Sequence, residues 1–265
     1  MRSLRNKVVV ITGSTNVVGT ATAERLAWSG ATLVLADGDE AALNRQRDHS
    51  CGAASQPLTV QTDVSDFSSL RAMFKTTLRR FGVIDVLVNC AGAIRPGPLD
   101  IVTPESIVEQ LHVNVLGTIF PTQLLLPTFR RQREGHFIHV MWMGGSVPLP
   151  LEAPYSATVA AVRGFCQAMS LELRKTPINI SIICADIEVS NDAKVNLQDP
   201  HCPSQLRPPR AYDVARAIVR TAKRPRLEVY VPRLKSSFVK LACPSPRLLE
   251  RLHSSSRRRL THDPQ

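Results

Sequence analysis

The 265-residue sequence predicts an α/β fold, a doubly wound parallel sheet with helices on both faces, and three observations carry that prediction. Short β-branched apolar runs alternate with longer stretches of helical period. The first run ends in a glycine-containing turn that opens directly onto a helix. The alternation then repeats so regularly that parallel strands joined by right-handed crossovers follow, with helices on either side of one open sheet.

Residues 7–12 read as the first strand, and the turn through Gly13 leads to a helix with Ala21, Leu26 and Ala27 on one side. Residues 31–36 form a second strand and 40–47 a helix. Residues 58–61, 67–81 and 84–88 continue as strand, helix and strand. Pro104, suited to the first turn of a helix, opens a long helical stretch toward Arg131. Residues 136–140 are a strand, 156–174 a helix and 178–184 a strand. Ligands of such sheets sit beyond the carboxyl ends of the strands at the switch in strand order, which places the first, fourth and fifth strand-to-helix loops around one crevice.

Composition bounds the function. With 43% hydrophobic and 21% charged residues, 13 Gly and 19 Pro, the chain is neither disordered nor collagenous. No run approaches the roughly 18 apolar residues of a membrane-spanning helix, and nothing resembles a cleaved secretion signal. The six cysteines have no close pairs, so neither a zinc site nor a disulfide framework is expected and a reducing cytosol is the default compartment. His112, His136 and His139 likewise lack partners at metal spacing, and no metal is expected. The net charge of +11 arises late: residues 1–200 hold 18 Lys and Arg against 18 acids, and residues 201–265 hold 15 against 4. The basic tail, residues 233–265, suits an anionic partner, and leucines interleaved with Lys and Arg over 233–259 allow peripheral membrane contact. A solvated terminus and packing against the body are the plainer alternatives. Nucleic-acid binding through Arg257 to Arg259 is disfavoured because no aromatics are interleaved.

The predicted loops hold an ordered set of polar and small residues. Thr12-Gly13-Ser14-Thr15-Asn16-Val17-Val18-Gly19 lies between strand and helix, where backbone N–H groups can face a pyrophosphate. Asp37 ends the second strand, where a carboxylate accepts from an adenine ribose and repels a 2′-phosphate; Gly38 beside it is not basic, so NAD is favoured over NADP. Asp63-Val64, Asn89-Cys90-Ala91-Gly92, Asn114-Val115-Leu116-Gly117 and Tyr155 follow.

This series resembles the short-chain dehydrogenase/reductase family across residues 7–184, and less specifically to about Pro232. The resemblance implies a single-domain Rossmann-like fold over residues 1–232 and hydride transfer between a nicotinamide cofactor and a small alcohol or carbonyl substrate. It implies that Gly13 and Gly19 line the pyrophosphate, Asp37 the adenosine ribose, Asp63 and Val64 the adenine, and Asn89, Ala91 and Gly92 the nicotinamide-side ribose. By the same resemblance Tyr155 is the catalytic acid/base and Asn114 holds a water of the proton relay. The family is usually dimeric or tetrameric, which implies a homo-oligomer.

Four positions depart from the family pattern. The lysine four residues after the tyrosine is Val159, and without its charge the phenol stays near its ordinary pKa of about 10, or above it if desolvated. The substrate-polarising serine is Trp142, with Ser146 a substitute only in a different loop register. The middle glycine of the first loop is Val17, whose branched side chain is expected to obstruct the pyrophosphate. The usual Pro-Gly after the sixth strand is Ala185-Asp186. Two functions remain open: an oxidoreductase with impaired catalysis, or an inactive relative acting as a binding partner, either for an active homologue through the helix around residues 156–173 or for a membrane through the tail.

Overall fold

The computed structural model describes residues 3–49, 56–142, 148, 150–185 and 211–231. Seven strands form one parallel sheet in the order β3-β2-β1-β4-β5-β6-β7. They are β1 Val8–Thr12, β2 Thr32–Asp37, β3 Leu58–Gln61, β4 Val86–Asn89, β5 Gly135–Trp142, β6 Ile178–Ala185 and β7 Glu228–Val231. The helices are α1 Val17–Trp28, α2 Glu40–His49, α3 Phe67–Phe81, α4 Pro104–Gln110, α5 Gly117–Gln132, α6 Ala153–Glu172 and α7 Ala211–Lys223. Strand order reverses between β1 and β4, as the sequence reading of a doubly wound sheet requires.

Side-chain alternation along the strands divides the core in two. Val8 and Val10 of β1 join Val34 and Phe137 on one face, under α3, α5 and α6. Val9 and Ile11 join Leu33, Leu35 and Ile138 on the other, under α1 and α7. Both faces of β1 are therefore covered, which is why its sequence reads as an unbroken apolar run. A fully buried side chain such as Leu26 or Leu87 contributes about 2 kcal/mol by leaving water.

Local signals set the helix ends. Asn16 caps α1 by accepting from the Gly19 N–H, and Asp66 caps α3 through Ser68 and Ser69. Thr103 caps α4, whose first residue is Pro104. Gly82 ends α3 in the left-handed region, at φ 74°.

The long helix expected from Pro104 toward Arg131 is interrupted. Between α4 and α5, Leu111–Leu116 form a π-helical turn. Asn114 lies within it, and its amide is drawn to the Ala93 backbone by two hydrogen bonds, so the turn accommodates an extra residue. Helix α7 was not expected from the sequence, and residues 228–231 ahead of the tail form β7, the edge strand among the described residues. No described helix is long and apolar enough to cross a membrane. The tail, Ser146 and residues 186–210 lie outside the described residues.

Candidate functional site

A cleft of about 660 Å³ opens beyond the carboxyl ends of β1 to β4. It draws on the first four strand-to-helix loops; most of the loop after β5 lies outside the described residues. Of the sequence-selected residues, Gly13, Asp37, Asp63, Val64, Ala91 and Gly92 line it. Asp66 lines it too, and no Lys, Arg or His is among its described lining residues.

The first loop is shaped by contacts that exclude side chains. Gly13 has φ +62°, and a Cβ there would run into the backbone of Cys90 and Ala91. A Cβ at Gly19 would strike the Gly13 carbonyl and Ser14. Gly19 thus acts from behind the loop, holding α1 against it, while Gly13 faces the cleft. Asn16 ties the assembly together, with Nδ2 donating to the Cys90 carbonyl at 2.8 Å. Gln46 of α2 donates to the Ser14 carbonyl at 2.7 Å. The Val17 side chain is 56% exposed and is not among the described residues lining the cleft. As the first residue of α1 it carries no positive φ, so a branched side chain is accommodated without strain.

The acidic residues are individually placed. Asp37 Oδ2 accepts from the Thr15 N–H at 3.1 Å and the Thr15 hydroxyl at 2.7 Å. Asp63 Oδ1 accepts from the N–H and hydroxyl of Ser65. Helix capping is done by neighbours instead, Asp39 for α2 and Asp66 for α3. Asp37 and Asp63 therefore keep their carboxylates at the cleft.

Asn89 faces inward. It is 2% exposed, accepts from the Thr12 hydroxyl and donates to the Gly117 carbonyl at 3.0 Å and to Thr118 Oγ1 at 3.3 Å. Its side chain joins β1, β4 and α5 rather than facing the cleft, while Ala91 and Gly92 after it do face the cleft.

Beside the cleft, Asn114 Nδ2 donates to the Ala93 carbonyl at 2.8 Å and to Thr158 Oγ1 at 3.1 Å, and its Oδ1 accepts from the Ala93 N–H. Thr158 in turn donates to the Tyr155 carbonyl at 2.7 Å. Sequence reasoning missed Thr158; its signal is the position three residues after Tyr155, one helical turn along and fully buried. Asn114 and Tyr155 are thereby joined through a threonine and main chain.

Tyr155, in the first turn of α6, is 2% exposed. Its phenol oxygen accepts from the Trp142 main-chain N–H at 3.0 Å. Burial pushes its pKa up from 10, with Glu152 and Cys184 adding to the shift and the Trp142 N–H opposing it. One turn on, Val159 is 3% exposed and belongs to the apolar core. Trp142 is half-buried against both core layers, and a methyl group on Gly92 would lie 3.6 Å from its indole nitrogen. Cys90 is buried, which pushes its thiol up to about 12 and leaves it unreactive. Among the described residues no group of three or more His, Cys, Asp or Glu is gathered to hold a metal.

Several known proteins resemble this chain in sequence and fold. The family model for short chain dehydrogenase matches residues 7–198. An uncharacterized oxidoreductase of Staphylococcus epidermidis is 31% identical over 186 residues, spanning 69% of this chain and 78% of that protein. The rabbit (Oryctolagus cuniculus) L-fucose dehydrogenase is 33% identical over 178 residues, 67% of this chain and 61% of the enzyme. Among solved structures, a short chain dehydrogenase/reductase from Burkholderia phymatum in complex with NAD superposes with a TM-score of 0.81 at 26% identity, covering 94% of this chain and 96% of that one. The 3-ketoacyl-(acyl-carrier-protein) reductase of Brucella melitensis complexed with NADH gives 0.76 at 27% identity, over 87% and 99%. With the family model spanning most of the seven-stranded sheet, the chain belongs to the short-chain dehydrogenase/reductase family of oxidoreductases.

Proposed function

We propose that this chain binds NAD in the cleft beyond β1 to β4 and that ordinary hydride transfer is impaired there. One observation carries the reading: the Tyr155 phenol is buried, held by the Trp142 N–H, and has Val159 where the family resemblance implies a lysine. The cleft fits a dinucleotide because Gly13 leaves its backbone bare and helix α1 presents its N-terminus beside it. Asp37, Asp63 and Asp66, with no Lys, Arg or His among the described lining residues, favour the 2′-hydroxyl of NAD over a 2′-phosphate. Gly13 would serve the pyrophosphate with Gly19 supporting the loop, Asp37 the adenosine ribose, and Asp63 and Val64 the adenine. Ala91 and Gly92 would serve the second ribose, with Asn89 positioning that loop from beneath.

When bound, the nicotinamide supplies or accepts hydride for an alcohol or carbonyl substrate. Tyr155 is the group assigned to exchange a proton with the substrate oxygen. Its raised pKa keeps the phenol protonated at neutral pH, so it cannot begin as a base. As an acid it leaves a buried phenolate steadied by one main-chain N–H. Both directions share that transition state, so both are slowed. Asn114, with its amide committed to Ala93 and Thr158, steadies the site.

The same Tyr155 contact supports a second reading, an inactive family member serving as a binding partner. The exposed side of α6 carries Ala153, Ala157, Ala161, Gly164 and Ala168, small residues that let another helix approach closely in a second copy or an active homologue.

Titration of NADH and NADPH into the purified protein, followed by fluorescence, tests the reading. NADH is expected to bind at micromolar concentration and NADPH at least about tenfold more weakly, with Asp37→Ala erasing the difference. Val17→Gly is expected to change NADH affinity less than about threefold, given the exposed side chain. Absence of NADH binding by the parent chain overturns the proposal. A panel of small alcohols and carbonyls then separates the two readings: slow turnover indicates the impaired enzyme and none the binding partner. Turnover at the ordinary enzyme rate of about 10 per second would overturn impairment.

A further inference from the structure

A second cleft, of about 380 Å³, runs between α7 and β7, the edge strand among the described residues. It shares no lining residue with the cleft beyond β1 to β4. Its rim carries Arg216, Arg220, Arg224 and Arg226, and its floor is formed by Ala217, Val229 and Tyr230. Arg216 and Arg220 lie one turn apart on α7, Arg224 follows its last residue with its N–H donating to the Arg220 carbonyl, and all four arginines are exposed. The acid on this rim is Asp213, 3.9 Å from Arg216. Among the described residues Arg220, Arg224 and Arg226 enter no ion pair. Like charges at this spacing repel and weaken a helix, so folding alone does not call for them.

A second feature lies on the neighbouring helix. Tyr212 of α7 donates to Glu24 of α1 at 2.9 Å. Both helices return chain between parallel strands, so they run in the same direction, and one turn beyond that contact come Arg216 and Trp28. Trp28 is 90% exposed, the most exposed large apolar side chain described. The chain that continues from β7 is also basic, with eight Lys and Arg against two acids over residues 233–265.

We infer that the face made by α7, β7 and the end of α1 docks on an anionic phospholipid surface, with the four arginines on lipid phosphates and Trp28 at the headgroup level. Guanidinium groups pair with phosphate in fork geometry, indoles settle at the boundary between water and acyl chains, and the apolar floor accepts what a headgroup leaves exposed. A nucleic-acid backbone would use the arginines but not the floor. A second copy related by a two-fold axis would oppose one arginine row to another.

The full-length protein is co-sedimented with vesicles of phosphatidylserine and phosphatidylcholine, and with vesicles of phosphatidylcholine alone, at physiological salt. Binding is expected to the mixed vesicles only. The triple variant Arg216→Gln, Arg220→Gln, Arg224→Gln is expected to lower partition roughly a hundredfold, about a factor of five per arginine, with a melting temperature no lower than the parent's. Trp28 emission is expected to shift to the blue on vesicle addition, a shift lost in Trp28→Phe, with Trp142 the other indole. Unaltered partition in the triple variant would assign binding to the tail and overturn the inference, as would no vesicle binding by the parent. Binding of duplex DNA in preference to vesicles, or a change in oligomeric mass as the variant's main effect, would overturn it in favour of those occupants. Arginine-dependent partition with an unmoved Trp28 emission would remove α1 from the face.

Discussion

Asn89 shows how a helix breaker in one element fixes a side chain in another. Pro121 lies inside α5 and has no N–H, so the Gly117 carbonyl, four residues earlier, lacks its helical donor. Asn89 Nδ2 supplies that donor, and its Oδ1 takes the Thr12 hydroxyl. Replacing Asn89 with Ala leaves buried polar groups on β1 and α5 unpaired, and about 2–4 kcal/mol of stability should be lost in urea unfolding. A loss under about 1 kcal/mol would show that the freed groups find other partners. Tyr155 gives a second test at this scale. Its ionisation, read as the difference in phenolate absorbance between the parent and Tyr155→Phe, should lie above the ordinary value of about 10. Val159→Lys should bring it down, because a cation one turn away favours the phenolate; an unmoved titration would remove Val159 from the explanation of impaired transfer. The sequence places both residues at loop or helix starts, but the burial that raises one pKa and the carbonyl that occupies the other side chain come from segments distant in the chain.

At the scale of elements, the glycine turn and the helix caps carry the testable consequences. Gly13→Ala forces a side chain into a left-handed residue pressed on Cys90 and Ala91, so the β1 to α1 loop must shift. A loss of at least about 2 kcal/mol is expected on thermal unfolding, together with loss of NADH binding. Asp66→Ala removes the α3 cap, a side chain on the rim of the cleft, and should lower the melting temperature. These elements were legible in sequence because their signals are local: Asp before the helix, Gly after it, Pro at its first residue. The π-helical turn was not, since it depends on Ala93 pairing with Asn114 from another loop. Helix α7 escaped notice because its apolar positions are spread among arginines whose arrangement on one side is visible only once Val214 and Ile218 face the sheet.

For the molecule as a whole, two histidines of β5 set the response to acid. Burial lowers His139 to about 4, and burial with the charge of His139 lowers His136 to about 3. The folded rings bind protons less readily than the unfolded chain, whose histidines titrate near 6.5. Their contribution is therefore fully present above about pH 6.5 and lost as pH falls through about 4 for His139 and about 3 for His136, a change on the order of 3 and 5 kcal/mol respectively once both states are protonated. Stability measured by denaturant titration should fall across that window, and His139→Phe should flatten the fall; an unchanged slope would place the acid sensitivity elsewhere. Local sequence was enough for the alternation of strand and helix, the doubly wound sheet and the order of its loops, because hydrophobic period, glycine turns and helix caps act over a few residues. Which loop residues face the cleft, and that Asn89 turns inward onto Gly117 and Thr12, emerge only in the folded chain. Those outcomes depend on contacts between segments far apart in the chain, and no local pattern of residues encodes which distant backbone will be waiting.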